Sequence, residues 1–279
     1  MAIDLLRKNN LLYLQSPMLD ALGAVRHAFS TRCGGCSSGA VSSLNMAFHT
    51  EDCEANVLEN RRRFFCLFNH EFRDIVSAVQ VHGAELVTVD ARNRGEGAVP
   101  GTSLTHYDAL ITIEPDLALA AYAADCMLIF FAALDFPLVA VAHAGREGTC
   151  SGIAKKVFRH ISESYNVSPQ RIAAAFSPSI CKNCYTVDDA AAARFADAGW
   201  FGSRYLEPCE EGRWKIDLAE INASQLLKAG IDQRHLSRST LCTSCRDDLF
   251  YSYRRDKGKT GRMLGFIKIE KQGEKRFEQ

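Results

Sequence analysis

The stretch Leu117–Gly148 constrains this chain more than any other. It reads LALAAYAADCMLIFFAALDFPLVAVAHAGREG and holds two apolar runs, Leu117–Ala124 and Pro137–Ala142. Runs of this length bounded by Gly, Pro and Asp have the pattern of strands buried on both faces. A chain that carries them must cover a sheet above and below. Each run also ends in a metal-competent side chain, in Ala124-Asp125-Cys126 after the first and His143-Ala144-Gly145 after the second. A third candidate, His82, stands in Gln80-Val81-His82-Gly83 at the head of the run Glu85–Val89. One thiolate and two imidazoles make a mixed S/N set that suits a borderline-soft ion such as zinc. Three protein ligands leave a fourth position open, as catalytic zinc needs and structural zinc does not. Asp125, beside Cys126, is a candidate to transfer protons or to orient a histidine.

Composition narrows the rest. With 279 residues, 47% of them hydrophobic, the chain can build a sizeable core, and one domain over residues 1–279 is expected. No repeat or linker interrupts it, and a polar tail begins at about residue 270. Lys+Arg and Asp+Glu are both 33, so no global field favours nucleic acid or an anionic membrane as partner. Leu117–Leu134 is long enough to raise the question of a membrane span. Asp125 near its middle would cost about 2.5–3.5 kcal/mol there, and the segment is read as sheet. MAIDLLRKNN has neither the apolar core nor the small-residue cleavage site of a secretory signal. Eleven cysteines, an odd number, then point to reduced thiols in a cytoplasmic setting. Three Cys-x-x-Cys pairs occur, at Cys33/Cys36, Cys181/Cys184 and Cys242/Cys245. None has a second pair at ribbon spacing, so free thiols are expected there rather than a structural zinc or a redox centre.

Along the chain, strands are expected at Leu11–Leu14, Ala109–Ile113, Ile172–Phe176 and Met263–Ile269. Gly- and Ser-bearing loops are expected over 33–43 and 91–106. Helices are expected over Val57–Phe68 (capped by Asp52 or Glu54), over about Gly152–Tyr165, around Asp188–Ala198, and from Ile216-Asp217 to Leu227, closed by Ala229-Gly230. Of Arg61-Arg62-Arg63, two are expected on a solvated helix face.

The motifs FSTRCGGCSSG, SLNMAFHTED, ENRRR, QVHGAELV, DALIT, ADCMLIFF, VAVAHAG, CYTV, LCT and FYSYRRDKGKTGR stand in the order seen in the laccase-domain family. The resemblance covers about Phe29 to Ile269. Bacterial members of that family were first described as polyphenol oxidases and are now viewed as purine nucleoside phosphorylases that also deaminate adenosine. The resemblance implies an α/β (α+β) fold, a sandwich of mixed β-sheets covered by helices, similar to the catalytic domain of cytotoxic necrotising factors. It implies zinc held by His82, Cys126 and His143, the set already reached from chemistry. It also implies phosphorolysis of adenosine, inosine, guanosine and methylthioadenosine, so that purine nucleosides and phosphate are the small-molecule partners of a monomer or homodimer. Asp125, Cys126 and His143 are then the catalytic candidates. Arg61 and Arg254 are candidates for phosphate because guanidinium binds it bidentately, with Arg255 a weaker one. Ser43 and Asn45 are candidates for ribose or base contacts.

This chain departs from the family pattern after the second histidine, where Ala-Gly-Trp-Arg-Gly is usual and Ala144-Gly145-Arg146-Glu147-Gly148 stands here. Glu147 would repel phosphate if it faced the cleft, and Arg146 would restore a positive charge one residue earlier. Ser177-Pro178-Ser179 and Tyr185-Thr186-Val187 depart as well. Three other readings compete. Copper (Cu2+) polyphenol oxidation is the older family description, yet none of the eight histidines forms a His-x-His pair. A metal-free Cys126–His143 hydrolase or amidase acting on cell-wall precursors would use the thiolate as nucleophile. A non-catalytic nucleotide or metal sensor is the third.

Overall fold

Strict alternation along the apolar strands sets up the layers. In Leu119–Ala123, the side chains of Leu119, Ala121 and Ala123 join one buried cluster, and those of Ala120 and Tyr122 join a second. In Met127–Ala133, Leu128, Phe130 and Ala132 join the first of these clusters, while Met127, Ile129, Phe131 and Ala133 enter a third. Side chains of period two therefore fill both faces of each strand, as expected for buried sheet. The computed structural model describes residues 3–102 and 104–271, so nearly all of the polar tail expected from about residue 270 lies outside the described residues.

Two large sheets result. The seven-stranded sheet runs in the order Asp4–Lys8, Leu11–Gln15, Val25–Ser30, Met263–Ile269, Leu119–Ala123, Val76–Val79 and Leu104–Thr105. The six-stranded sheet runs Leu236–Arg238, Ile172–Phe176, Met127–Ala133, Val139–Ala144, Ala109–Thr112 and Leu86–Thr88. Both mix parallel and antiparallel pairs. Their facing sides share one core. The helices Ile153–Ser164 and Leu218–Ala229 cover the outer face of the six-stranded sheet, and Glu54–Cys66 covers that of the seven-stranded sheet. The sandwich of mixed sheets under helices is thus the observed architecture, with a small antiparallel sheet (Thr186–Asp188, Arg213–Ile216, Leu206–Glu210) beside it.

The 18-residue apolar segment is two strands in two different sheets. Asp125, with φ of +89°, turns the chain between them. The chain passes from the seven-stranded to the six-stranded sheet three times: from Val79 to Leu86, from Thr105 to Ala109 and from Ala123 to Met127. These crossings carry His82, Asp108 and Cys126.

One local expectation fails, and two cysteine pairs far apart in sequence come together as free thiols. Helix Glu54–Cys66 has Cys53 at its N-cap with no side-chain cap, because the carboxylate of Asp52 instead accepts from Ser37, Asn45 and Asn56. The Cys181/Cys184 and Cys242/Cys245 pairs are not isolated thiols. Ile172–Phe176 and Leu236–Arg238 pair in parallel, so the loops that follow leave the sheet in the same direction and bring all four sulfurs together. Among the described residues no helix is long and apolar enough to cross a membrane.

Candidate functional site

Where the three crossings meet, a cleft of about 960 Å³ opens, within the size range of small-molecule sites. His82, Cys126 and His143 line it, and their ligand-capable atoms all lie within 4.8 Å of one another. The rings of His82 and His143 meet edge to face with centroids 4.8 Å apart. His143 ends an inner strand and is buried, Cys126 is half-buried and His82 is exposed, so the set opens toward solvent on one side. The backbone makes room for it at Gly145. A Cβ there would lie 3.0 Å from Cys126 Sγ and 3.1 Å from His82 Cδ2.

Neighbouring groups fix each donor. Gln80 docks against the inner strand like a piece of backbone. Its Nε2 donates to the Tyr122 carbonyl at 2.8 Å and its Oε1 accepts the Tyr122 N–H at 2.8 Å. This anchors the loop in which His82 adopts φ of +61°, a conformation that costs a non-glycine residue about 1 kcal/mol. The buried carboxylate of Asp108 accepts the backbone N–H groups of Val81, His82 and Gly83 at 3.2, 3.0 and 2.7 Å. The same carboxylate lies 2.8 Å from His143 Nδ1 and so directs Nε2 of that ring toward the cleft.

These surroundings set the protonation states of the bare site. Burial alone would raise the Cys126 thiol, but the charge and hydrogen bond of His143, with those of His82, bring it down to about 6. Burial alone would lower His143, but the Cys126 thiolate and the Asp108 carboxylate raise it to about 9. Burial also opposes ionisation of Asp108, and its bonds to His143 and the backbone hold its carboxyl below the usual range. Cys126 and His143 thus each favour the charged form of the other, and a cation bound by this pair would release the ring proton of His143 while the sulfur serves as its soft anionic ligand.

Asp125 lines the cleft but orients no histidine. Its Oδ1 accepts from Thr243 Oγ1 and its Oδ2 from the Arg254 N–H, both at 2.7 Å, so it ties two loops to the sheet crossing. The orienting carboxylate is Asp108, which the sequence offers only as the first residue of DALIT.

Arg61 reaches the cleft wall as a buried structural cation, 1% exposed. Its guanidinium donates to the carbonyls of Met46, Gly97 and Ala98, each at 2.9 Å, and to the Tyr122 hydroxyl at 2.6 Å. Four of its five N–H groups are thereby used, which corrects its reading as a free phosphate ligand. Arg62 and Arg63 pair with Glu59 outside, as expected of two of the three. Arg254 lines the cleft over the Tyr185 ring at 4.6 Å and donates to the Thr186 carbonyl. Arg255 is consumed by Asp256 and by the carbonyls of Thr243, Ser244 and Phe250. A cation that sequence reasoning passed over, Arg262, lines the cleft beside Tyr253 and spends only Nη1, on the carbonyls of Thr260 and Gly261.

Ser43 and Asn45 do not line the cleft. Ser43 Oγ donates to the Arg32 carbonyl. Asn45 is fully buried, bonded to Ala47, Thr50 and Asp52, and accepts the Arg262 N–H, because the loop over 33–52 needs internal partners for its irregular backbone. Glu147 does line the cleft, but as a neutralised charge, paired with Arg146 at 2.9 Å and with Arg194 at 2.6 Å.

Residues 26–270 match the family described as multi-copper polyphenol oxidoreductase laccase. The chain is 39% identical over 255 residues to the purine nucleoside phosphorylase YlmD of Geobacillus stearothermophilus, covering 88% of this chain and 90% of that one. It is 37% identical over 244 residues to a purine nucleoside phosphorylase of Deinococcus radiodurans, covering 88% and 89%. The crystal structure of the G. stearothermophilus YlmD superposes with a TM-score of 0.89 over 96% of this chain and 99% of that one, at 34% identity. That of the Bacillus licheniformis hypothetical protein YfiH does so with the same score, covering 96% and 99%, at 33% identity.

Proposed function

We propose, from the premise that this chain belongs to the multi-copper polyphenol oxidoreductase laccase family, that it is a zinc-dependent purine nucleoside phosphorylase with adenosine deaminase activity. The relatives named purine nucleoside phosphorylase support the reaction class. The observation that carries the reading is the oriented His82–Cys126–His143 set at the floor of a cleft walled by cations and aromatic rings.

The donors fit a zinc ion: one sulfur and two imidazole nitrogens converge, His143 is oriented from behind by Asp108, and Gly145 leaves the space. The same set accepts Cu2+, but no described cluster resembles a multinuclear histidine site. When bound, the ion supplies electrophilic polarisation at its open position. Tyr185, Tyr253 and Phe48 offer ring faces for a purine. Arg254 and Arg262, with the buried charge of Arg61 behind them, make the wall positive where phosphate must approach. In phosphorolysis a phosphate oxygen bonds to C1′, the C1′–N9 bond breaks, and the purine leaves with its electron pair and takes up a proton. In deamination the water oxygen bonds to C6, the C6–N bond breaks, and the amino group takes up a proton and leaves as ammonia. Asp125, the carboxylate beside Cys126, is assigned the proton transfers of both.

Chromatography of adenosine incubated with metal-loaded protein tests this. Adenine with phosphate present, and inosine without it, are expected, and both should vanish in a folded Cys126→Ala variant. Metal-loaded wild type that makes neither product refutes the proposal.

One observation favours a second reading. The Cys126 sulfur lies within 4.8 Å of a ring nitrogen of His143, whose Nδ1 is 2.8 Å from the Asp108 carboxylate, an arrangement of thiol, imidazole and orienting acid found in cysteine hydrolases. Rapid alkylation of Cys126 by iodoacetamide in metal-saturated protein supports that reading, and protection by metal excludes it.

A further inference from the structure

We infer a second metal site, separate from the cleft set: Cys181, Cys184, Cys242 and Cys245 form a closed tetrathiolate that takes a structural zinc ion. The four sulfurs all lie within 4.8 Å of one another, although the two pairs are 61 residues apart in sequence. Zinc bound to four thiolates at about 2.3 Å is tetrahedral, which sets sulfur–sulfur edges of roughly 3.8 Å. Cys184 Sγ and Cys245 Sγ are 3.4 Å apart, near that edge and far beyond the roughly 2.05 Å of a disulfide. All the cysteines are free.

The backbone around the sulfurs is already shaped for the ion. Each pair closes a tight turn. The Cys184 N–H donates to the Cys181 carbonyl at 3.0 Å, and the Arg246 N–H donates to the Cys242 carbonyl at 3.1 Å. The Cys181 N–H donates to Cys242 Sγ at 3.3 Å, the kind of donor that stabilises a metal-bound thiolate. Ser179 and Cys242 form a parallel bridge, and the Thr243 N–H donates to the Ser179 carbonyl. The side chain of Arg255 holds the second turn through the Thr243 and Ser244 carbonyls. Four protein ligands leave no open position, so the site is structural. Binding converts four thiols to thiolates and releases their protons.

Position gives the site its role. Tyr185, next to Cys184, lines the cleft, and Thr243, between the second pair, donates to Asp125. The ion would therefore clamp the two loops that shape the far wall of the cleft.

Metal content and X-ray absorption test this on the full chain purified anaerobically. Wild type should hold two zinc equivalents and Cys126→Ala one. The zinc edge of Cys126→Ala should then report four sulfurs at about 2.3 Å, a readout that does not depend on folding of a cluster variant. Cys184→Ser/Cys245→Ser should also retain one equivalent, now with a mixed N/S shell. Wild type that saturates at one equivalent with none left in Cys126→Ala overturns the inference, as does a Cys184–Cys245 disulfide in the anaerobic protein. None of these readouts uses nucleoside turnover; the second equivalent in wild type rests on the cleft set binding zinc, whereas the four-sulfur edge of Cys126→Ala does not.

Discussion

Asp108 Oδ1 lies 2.8 Å from His143 Nδ1, and the same carboxylate accepts the backbone N–H of His82 at 3.0 Å. One buried acid thus orients a ring and holds the loop that carries the other ring. Asp108→Asn keeps the shape but loses the charge that supports His143 as a ligand. Metal affinity should fall about 10–100-fold, measured by competition with a chromophoric chelator. Unchanged affinity would remove Asp108 from the site.

Gly145 is the space into which the donors fit. Gly145→Ala brings a methyl to 3.0 Å from Cys126 Sγ and 3.1 Å from His82 Cδ2. The backbone φ there is −78°, which alanine tolerates. The variant should fold with near-native stability yet bind metal at least about tenfold more weakly. Loss of folding together with metal would show that the glycine serves packing instead.

Arg61 and Arg254 should separate on mutation. Arg61→Leu leaves the carbonyls of Met46 and Ala98 without the guanidinium that serves them, leaves Gly97 with only Ser77 Oγ at 3.3 Å, and should cost about 3 kcal/mol in urea unfolding. Arg254→Ala should leave stability within about 1 kcal/mol and raise the KM for phosphate about tenfold or more, the loss of one charge-assisted bond. A Tm drop for Arg254→Ala with unchanged KM would reverse the assignment.

Two buried histidines predict acid sensitivity. Burial, then the charge of Arg26, lowers His27 to about 3, and burial, then Lys268, lowers His70 to about 4. The ordinary value is 6.5, so below it the unfolded chain binds protons that the folded chain refuses, and stability rises with pH. In metal-free protein, the unfolding free energy should therefore fall by about 1.4 kcal/mol per pH unit per histidine as pH drops from 6.5 toward 4.5. The Cys126–His143 pair adds little there, since its thiol proton has only moved to the ring. His27→Leu should remove one proton from the slope of urea-unfolding data against pH. A flat wild-type profile across that window would contradict the burial argument.

What the sequence reveals depends on how local each cause is. Leu119–Ala123 and Val139–Ala144 are legible because apolar continuity is a short-range signal, and Cys126 and His143 at their ends follow from it. Asp108 carries no such signal, since nothing beside DALIT tells that its carboxylate meets a loop 25 residues upstream. Arg61 was readable: it sits at helical spacing between Val57 and Phe64, on the stripe that faces the core. The clustering of the four cysteines is not legible in linear distance, because only the parallel pairing of Ile172–Phe176 with Leu236–Arg238 brings them side by side.

The three crossings that carry His82, Asp108 and Cys126 also decide where this chain can be cut. A circular permutant opened in the exposed turn at Asp135–Pro137, between two strands of one sheet, keeps every crossing and should retain the donor set. One opened at Asp125 severs a crossing and places Cys126 on a free end. The covalent path between the sheets is itself the frame of the site.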